Sequence, residues 1–204
     1  MLSGQLFQQN KNESFRFHMN QSLVTNEIAK KIYRFLPKTE TREIVVVCIG
    51  TDRSTGDSLG PIVGTKLSER HFNDFSIFGT LQNPVHAKNL ADTMTKINSS
   101  FDNPFIIGID ACLGRSSSVG YITIAKGPVK PGTAVNKQLP AVGEMHITGI
   151  VNVNGFMEMM VLQNTRLSLV MDMAEIISRS IARSARWLKT KPQWLQSSLQ
   201  KEMV

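Results

Sequence analysis

Two carboxylates stand where apolar runs give way to polar residues. In Glu43 to Pro61, EIVVVCIGTDRSTGDSLGP, the run Ile44 to Ile49 breaks into a glycine-punctuated loop carrying Thr51, Asp52, Arg53 and Asp57. Later, Pro104 to Ile109 (PFIIGI) runs directly into Asp110. A carboxylate at the end of a buried strand is partly desolvated, and a second carboxylate nearby raises the proton affinity of one member. Such a pair holds one acid and one base to activate water, or binds a divalent cation. The competing role for each is local: Asp57 as a cap for the helix starting near Leu59, and Asp110 as a group orienting the following turn.

Whether the two meet depends on the elements that carry them. Ile44 to Ile49 is unbroken and rich in valine, as expected of a strand buried on both faces of a parallel sheet. Leu59 to His71 reads as a helix with Pro61 in its first turn. Phe75 to Thr80 reads as a second strand, and Asn83-Pro84 as the start of a helix with the stripe Leu90, Met94 and Ile97. Pro104 to Ile109 is the third strand. Helical crossovers make strands 44–49 and 104–109 parallel, so their carboxyl ends share one rim. Asp57 and Asp110 then face the same side of the sheet.

The remaining chain supplies cover. Leu23, Ile28, Ile32, Tyr33 and Phe35 predict a helix over Ser22 to Phe35, closed by Pro37. Val119 to Ala125 alternates like an exposed or edge strand. The connection GPVKPGTAVNKQLPA is too long for a turn and is read as substrate-facing or mobile. EMHITGIVNVNG, containing His146, is a short apolar stretch running into a helix at about Gly155, and Arg166 to Trp187 is a long amphipathic helix. The fold class expected from these elements is α/β, with helices packed on a mostly parallel sheet. Residues 1–20 are read as a flexible arm, 21–190 as a single domain and 191–204 as a tail.

Composition narrows the function classes. With 204 residues, 41% hydrophobic and 19% charged, the chain has the makings of one well-buried domain. No run approaches membrane-spanning length and the first residues lack the apolar core of a signal peptide, so the expected location is cytoplasmic. The net charge of +7 is spread along the chain, with its densest patch at Arg179 to Lys191, where cations complement a helix carboxyl end. Nucleic acid is therefore not the expected partner.

Other chemistries compete for the rim. Cys48 and Cys112 have neither disulfide nor metal-finger spacing and are read as free thiols. Cys112, two residues past Asp110, offers a thiol nucleophile if an imidazole activates it; a small packed hydrophobe is the alternative. Gly50, Gly56 and Gly60 fit neither a P-loop nor a dinucleotide fingerprint, and Asp52 and Asp57 would repel an anion there. Thr51, Asp52, Arg53 and Arg115 are candidate substrate-binding residues, the arginines steering a peptide carbonyl or carboxylate. Simple solvation at the surface is their other reading.

TDRSTGDSLGP after a strand, followed by GIDACLGR, closely resembles the YyaC family of sporulation proteins, over about Ser22 to Ala185. It is more distantly similar to the spore germination protease, whose Asp-x-Leu-Gly-Pro loop and Ile-Asp-Ala strand end match Asp57 to Pro61 and Ile109 to Ala111. The architecture also looks like that of hydrogenase maturation endopeptidases, in which two acids and a histidine contact a metal. These resemblances imply a three-layer αβα sandwich of the peptidase type around a mostly parallel sheet, with Asp57 and Asp110 catalytic, and a metal set of Asp57, Asp110 and His146. They also imply a peptide or protein substrate, a spore protein among the candidates. Two departures stand beside them: Thr51-Asp52-Arg53 replaces the asparagine usual in the hydrogenase-type loop, and most of the germination protease's propeptide and inserted segments are absent here. In one version the aspartates share a proton; in the other they and His146 hold a divalent ion, including one brought by the substrate. A non-catalytic sporulation factor binding a peptide or protein through the same rim is the alternative.

Overall fold

A computed structural model describes residues 13–38, 42–70, 74–132 and 139–190. In chain order the elements are β1 (Ser14–His18), α1 (Val24–Phe35), β2 (Ile44–Cys48), α2 (Leu59–Glu69), β3 (Ser76–Phe78), α3 (Leu90–Ser100), β4 (Phe105–Gly114), β5 (Tyr121–Lys126), β6 (Met145–Val153), α4 (Glu158–Gln163) and α5 (Leu167–Thr190). The sheet order is β1-β5-β6-β4-β2-β3. β2 pairs in parallel with β3 and β4, and β4 with β6, while β5 is antiparallel to both β1 and β6. Only β5 therefore runs against the rest.

Helices cover both faces, which makes the three layers. Ile44, Val46 and Cys48 point with Ile107, Ile109 and Ile147 toward α1, α2 and α5. Val45, Val47 and Ile106 point the other way, toward Leu90 and Ile97 of α3. All five β2 residues are buried, which is why that run shows no polar alternation. Burying each such side chain contributes about 1.5–3 kcal/mol before entropy is counted. α5 packs against α1 through small residues: Ser178, Ser180 and Ser184 are fully buried, and the Ser180 hydroxyl donates to the Thr25 carbonyl at 3.1 Å and the Ile176 carbonyl at 2.7 Å.

Several expected boundaries move. The arm reading fails for Ser14–His18, which forms an edge strand. Phe15 and Phe17 alternate with polar residues, and backbone pairing with β5 offsets their ordering cost. Residues 1–12 and the tail 191–204 lie outside the described residues. The helix expected from Asn83-Pro84 begins instead at Leu90, because the Asn89 side chain holds a turn: its Oδ1 accepts from the His86 N–H at 2.8 Å and its Nδ2 donates to the Pro84 carbonyl at 3.0 Å. β4 continues past Asp110 to Gly114, and EMHITGIVNV is a long strand, since each finds its hydrogen bonds in the other.

β2 leads through α2 to β3 on one side and returns through α3 to β4 on the other. The crevice between the carboxyl ends of β2 and β4 is thus a point where the winding reverses, the place where such sheets bind ligands.

Candidate active site

The loop after β2 is closed by close approaches. Gly50 has φ 142°, and a Cβ on it would lie 1.9 Å from the Asp57 carbonyl oxygen. That carbonyl accepts the Thr51 N–H at 3.1 Å, and the Gly50 N–H donates to Val85 at 2.8 Å. Gly60 lets α2 press against the end of β2, where a Cβ would lie 2.1 Å from the Ile49 carbonyl oxygen. Asp57 sits in a 3-10 turn, Gly56–Ser58, directly before α2. It does not cap that helix: neither the turn nor α2 has a side-chain cap bond.

Asp57 and Asp110 line one cavity of about 440 Å³, with Arg53, His86, Cys112 and Met159 among its walls. This volume lies in the range of small-ligand and peptide-side-chain pockets. Asp110 is 9% exposed, and its Oδ1 accepts the Ala111 N–H at 2.9 Å. Burial holds its carboxyl well above the usual range, the charge of Asp57 pushes it further, and the Ala111 bond opposes both. Asp57 is also raised by burial, while His86 draws it down. Both carboxyls are thus held above the usual range, Asp110 more strongly than Asp57.

His146 does not join them. Its Nδ1 donates to the Gly127 carbonyl at 2.8 Å, on the β5–β6 connection, and the ring is not part of the cavity wall. Among the described residues no three His, Cys, Asp or Glu side chains are grouped to hold a metal ion. The set Asp57, Asp110 and His146 thus does not fit an ion as it stands, because the hydrogen bond to Gly127 fixes the ring two pairing positions back from Asp110.

The other expected site residues divide. Thr51 and Arg53 line the cavity, with the Arg53 N–H donating to Thr51 Oγ1 at 3.3 Å. Asp52 and Arg115 are exposed and outside it. Cys112 lines the wall, but burial and the nearby Asp110 push its thiol up to about 11, and it donates to the Gly149 carbonyl at 3.5 Å. His146, the imidazole expected to activate it, is turned to Gly127 instead, and burial disfavours the thiolate. Cys48 is fully buried and raised by burial alone.

The residue that sequence reasoning missed is His86. Assigning 83–89 to a helix hid that it lies in a loop after a parallel strand, on the same rim as the aspartates. Its Nδ1 and the Ser54 hydroxyl oxygen are buried without a hydrogen-bond partner among the described residues, and both side chains belong to the cavity wall.

Residues 16–180 match the family model described as "Protein of unknown function (DUF1256)". The chain is 53% identical over 164 residues to "Uncharacterized protein YyaC" of Bacillus subtilis (strain 168), spanning 80% of this chain and 78% of that one. A solved structure, the [NiFe] hydrogenase maturation protease HycI from Thermococcus kodakarensis KOD1, superimposes with a TM-score of 0.48 at 17% identity. It covers 72% of this chain and 95% of that chain. No helix of the described residues is long and apolar enough to cross a membrane.

Proposed function

This chain belongs to the DUF1256 family, and we propose that it is a peptide-bond hydrolase in which Asp57 and Asp110 work as an unequal pair of carboxyl groups. The observation that carries the reading is the shared cavity, in which the charge of Asp57 raises the proton affinity of a buried Asp110. Asp57, the member drawn toward ionisation by His86, takes a proton from water as the oxygen attacks the peptide carbonyl carbon. Asp110 gives its proton to the carbonyl oxygen, which becomes a hydroxyl on the tetrahedral intermediate. Asp57 then passes its proton to the leaving nitrogen as the C–N bond breaks, and Asp110 recovers its own. Arg53, at the cavity wall, faces the peptide.

Substrates from the spore interior, met in the cytoplasm of the sporulating cell, are supported by the resemblance of TDRSTGDSLGP and GIDACLGR to sporulation proteins. The test incubates the purified protein, Asp57→Asn and Asp110→Asn with extracts of dormant spores and reads products by mass spectrometry, with and without a chelator. Cleavage by wild type alone, unchanged by the chelator, is expected. Chelator-sensitive cleavage would point to an ion-dependent route instead. Identical extracts from all three folded proteins would overturn the hydrolase reading and favour a peptide-binding factor using the same rim.

A further inference from the structure

The sheet is not covered equally on its two faces. On the α1/α2/α5 face the apolar core reaches Phe17, Ile122, Ile124, Ile147 and Val151, across β1, β5 and β6. On the opposite face α3 covers β2 and β4, and the β5–β6 connection crosses β4 at Gly108, where a Cβ would meet Val129 at 2.7 Å. Among the described residues neither core cluster extends beyond that crossing: Tyr121, Thr123, Thr148 and Ile150 are only partly buried.

Strand register draws a row across this open face. Arg16 pairs with Thr123, Thr123 with Thr148, and Thr148 with Asp110. Directly paired residues project to the same side of a sheet, so the row runs from the edge strand to Asp110, which lines the cavity. At its outer end the Arg16 guanidinium lies 4.4 Å from the centroid of the Tyr121 ring. No carboxylate of the described residues pairs with it.

We propose that this row is the substrate channel, and that Arg16 binds a carboxylate of the peptide, either its C-terminus or an acidic side chain. The assignment rests on the hydrolase reading and adds the substrate class to it. Three strand-to-strand steps of about 4.8 Å put Arg16 about 14 Å from Asp110, which an extended chain at about 3.4 Å per residue spans in about four residues. The bound carboxylate therefore lies about four residues from the scissile bond. A guanidinium fork matches a carboxylate bidentately, and stacking on Tyr121 restricts its motion before the peptide arrives. The hydroxyls of Thr123 and Thr148 donate to or accept from the peptide backbone between the two ends. Two other exposed cations are already engaged: Arg179 pairs with Glu175 at 2.6 Å, and Lys189 with Asp74.

The test measures binding without turnover, using the full chain carrying Asp110→Asn so that no peptide is consumed. Three fluorescein-labelled hexapeptides of alanine and serine are compared by anisotropy: one with a free C-terminal carboxylate, one amidated with Glu at its last position, and one amidated with Gln there. At least one carboxylate peptide should bind about tenfold more tightly than the Gln peptide, a charge-assisted contact's worth. Which of the two binds identifies the source of the carboxylate. Adding Arg16→Ala should abolish the difference while leaving the Gln peptide's affinity unchanged, and adding Arg16→Glu should favour a peptide ending in amidated Lys.

The proposal is overturned if the preference survives Arg16→Ala in a folded protein, or if no carboxylate peptide exceeds the Gln peptide. It is overturned equally if sedimentation shows that Arg16→Glu only disrupts self-association. An Arg16-dependent preference in a protein whose wild type cleaves nothing would remove the hydrolase reading alone. Cleavage by wild type that is indifferent to Arg16 would remove this proposal alone.

Discussion

Replacing Asp110 by asparagine removes the most strongly perturbed carboxyl of the site, and its effect on stability has a definite pH signature. Burial first, then the charge of Asp57, raises the folded-state pKa of Asp110 above that of the unfolded chain. In the window between the unfolded value, about 3.9, and the raised folded value, the native protein holds a proton that the unfolded chain has lost. Stability contributed by this group is complete below the unfolded pKa and falls as pH rises through the window. The slope is at most about 1.4 kcal/mol per pH unit for one proton.

Asp110→Asn has no proton to lose and keeps an oxygen for the Ala111 N–H. Its stability relative to wild type should therefore climb through that window by up to about 1.4 kcal/mol per unit and then level off. For a domain of this size each kcal/mol moves Tm by about 2–4 °C, so urea or thermal melts at half-unit steps from pH 3.5 to 8.5 resolve the climb. Asp57→Asn should shorten the decline seen in wild type without abolishing it, because burial of Asp110 remains. Parallel curves for wild type and Asp110→Asn across the range would refute the claim that Asp110 is buried as an acid.

The neighbouring residues give sharper functional tests. Because His86 draws down the pKa of Asp57, His86→Gln should shift the acid limb of the kcat/KM profile to higher pH; an unmoved limb would remove His86 from the site. Cys112→Ala should retain activity within about threefold, since the thiol is protonated and only packs, and a loss near that of Asp110→Asn would restore the nucleophile. Gly60→Ala, whose Cβ would meet the Ile49 carbonyl oxygen at 2.1 Å, should destabilise by more than about 2 kcal/mol in denaturant melts. A neutral Gly60→Ala would mean that α2 does not press on the end of β2.

The amino-acid sequence by itself determined the layers and one edge of the site. Unbroken apolar runs at 44–49 and 104–109, separated by helical periodicity, demand a parallel sheet covered on both faces, and that topology brings Asp57 and Asp110 to one rim. These signals are local and repeated, so they survive without knowledge of contacts. Tertiary structure decided what no local pattern encodes. His146 is spent on Gly127 because β5 and β6 pair antiparallel beside it, and His86 enters the cavity because Asn89 turns the chain before α3. Arg16, within a stretch that reads as unpatterned, becomes the end of a row reaching Asp110 only when β1 pairs with β5. Burial and the proximity of other charges set proton affinities, and both are properties of residues far apart in sequence; spacing could nominate the two carboxyl groups, and only their shared cavity could make them unequal.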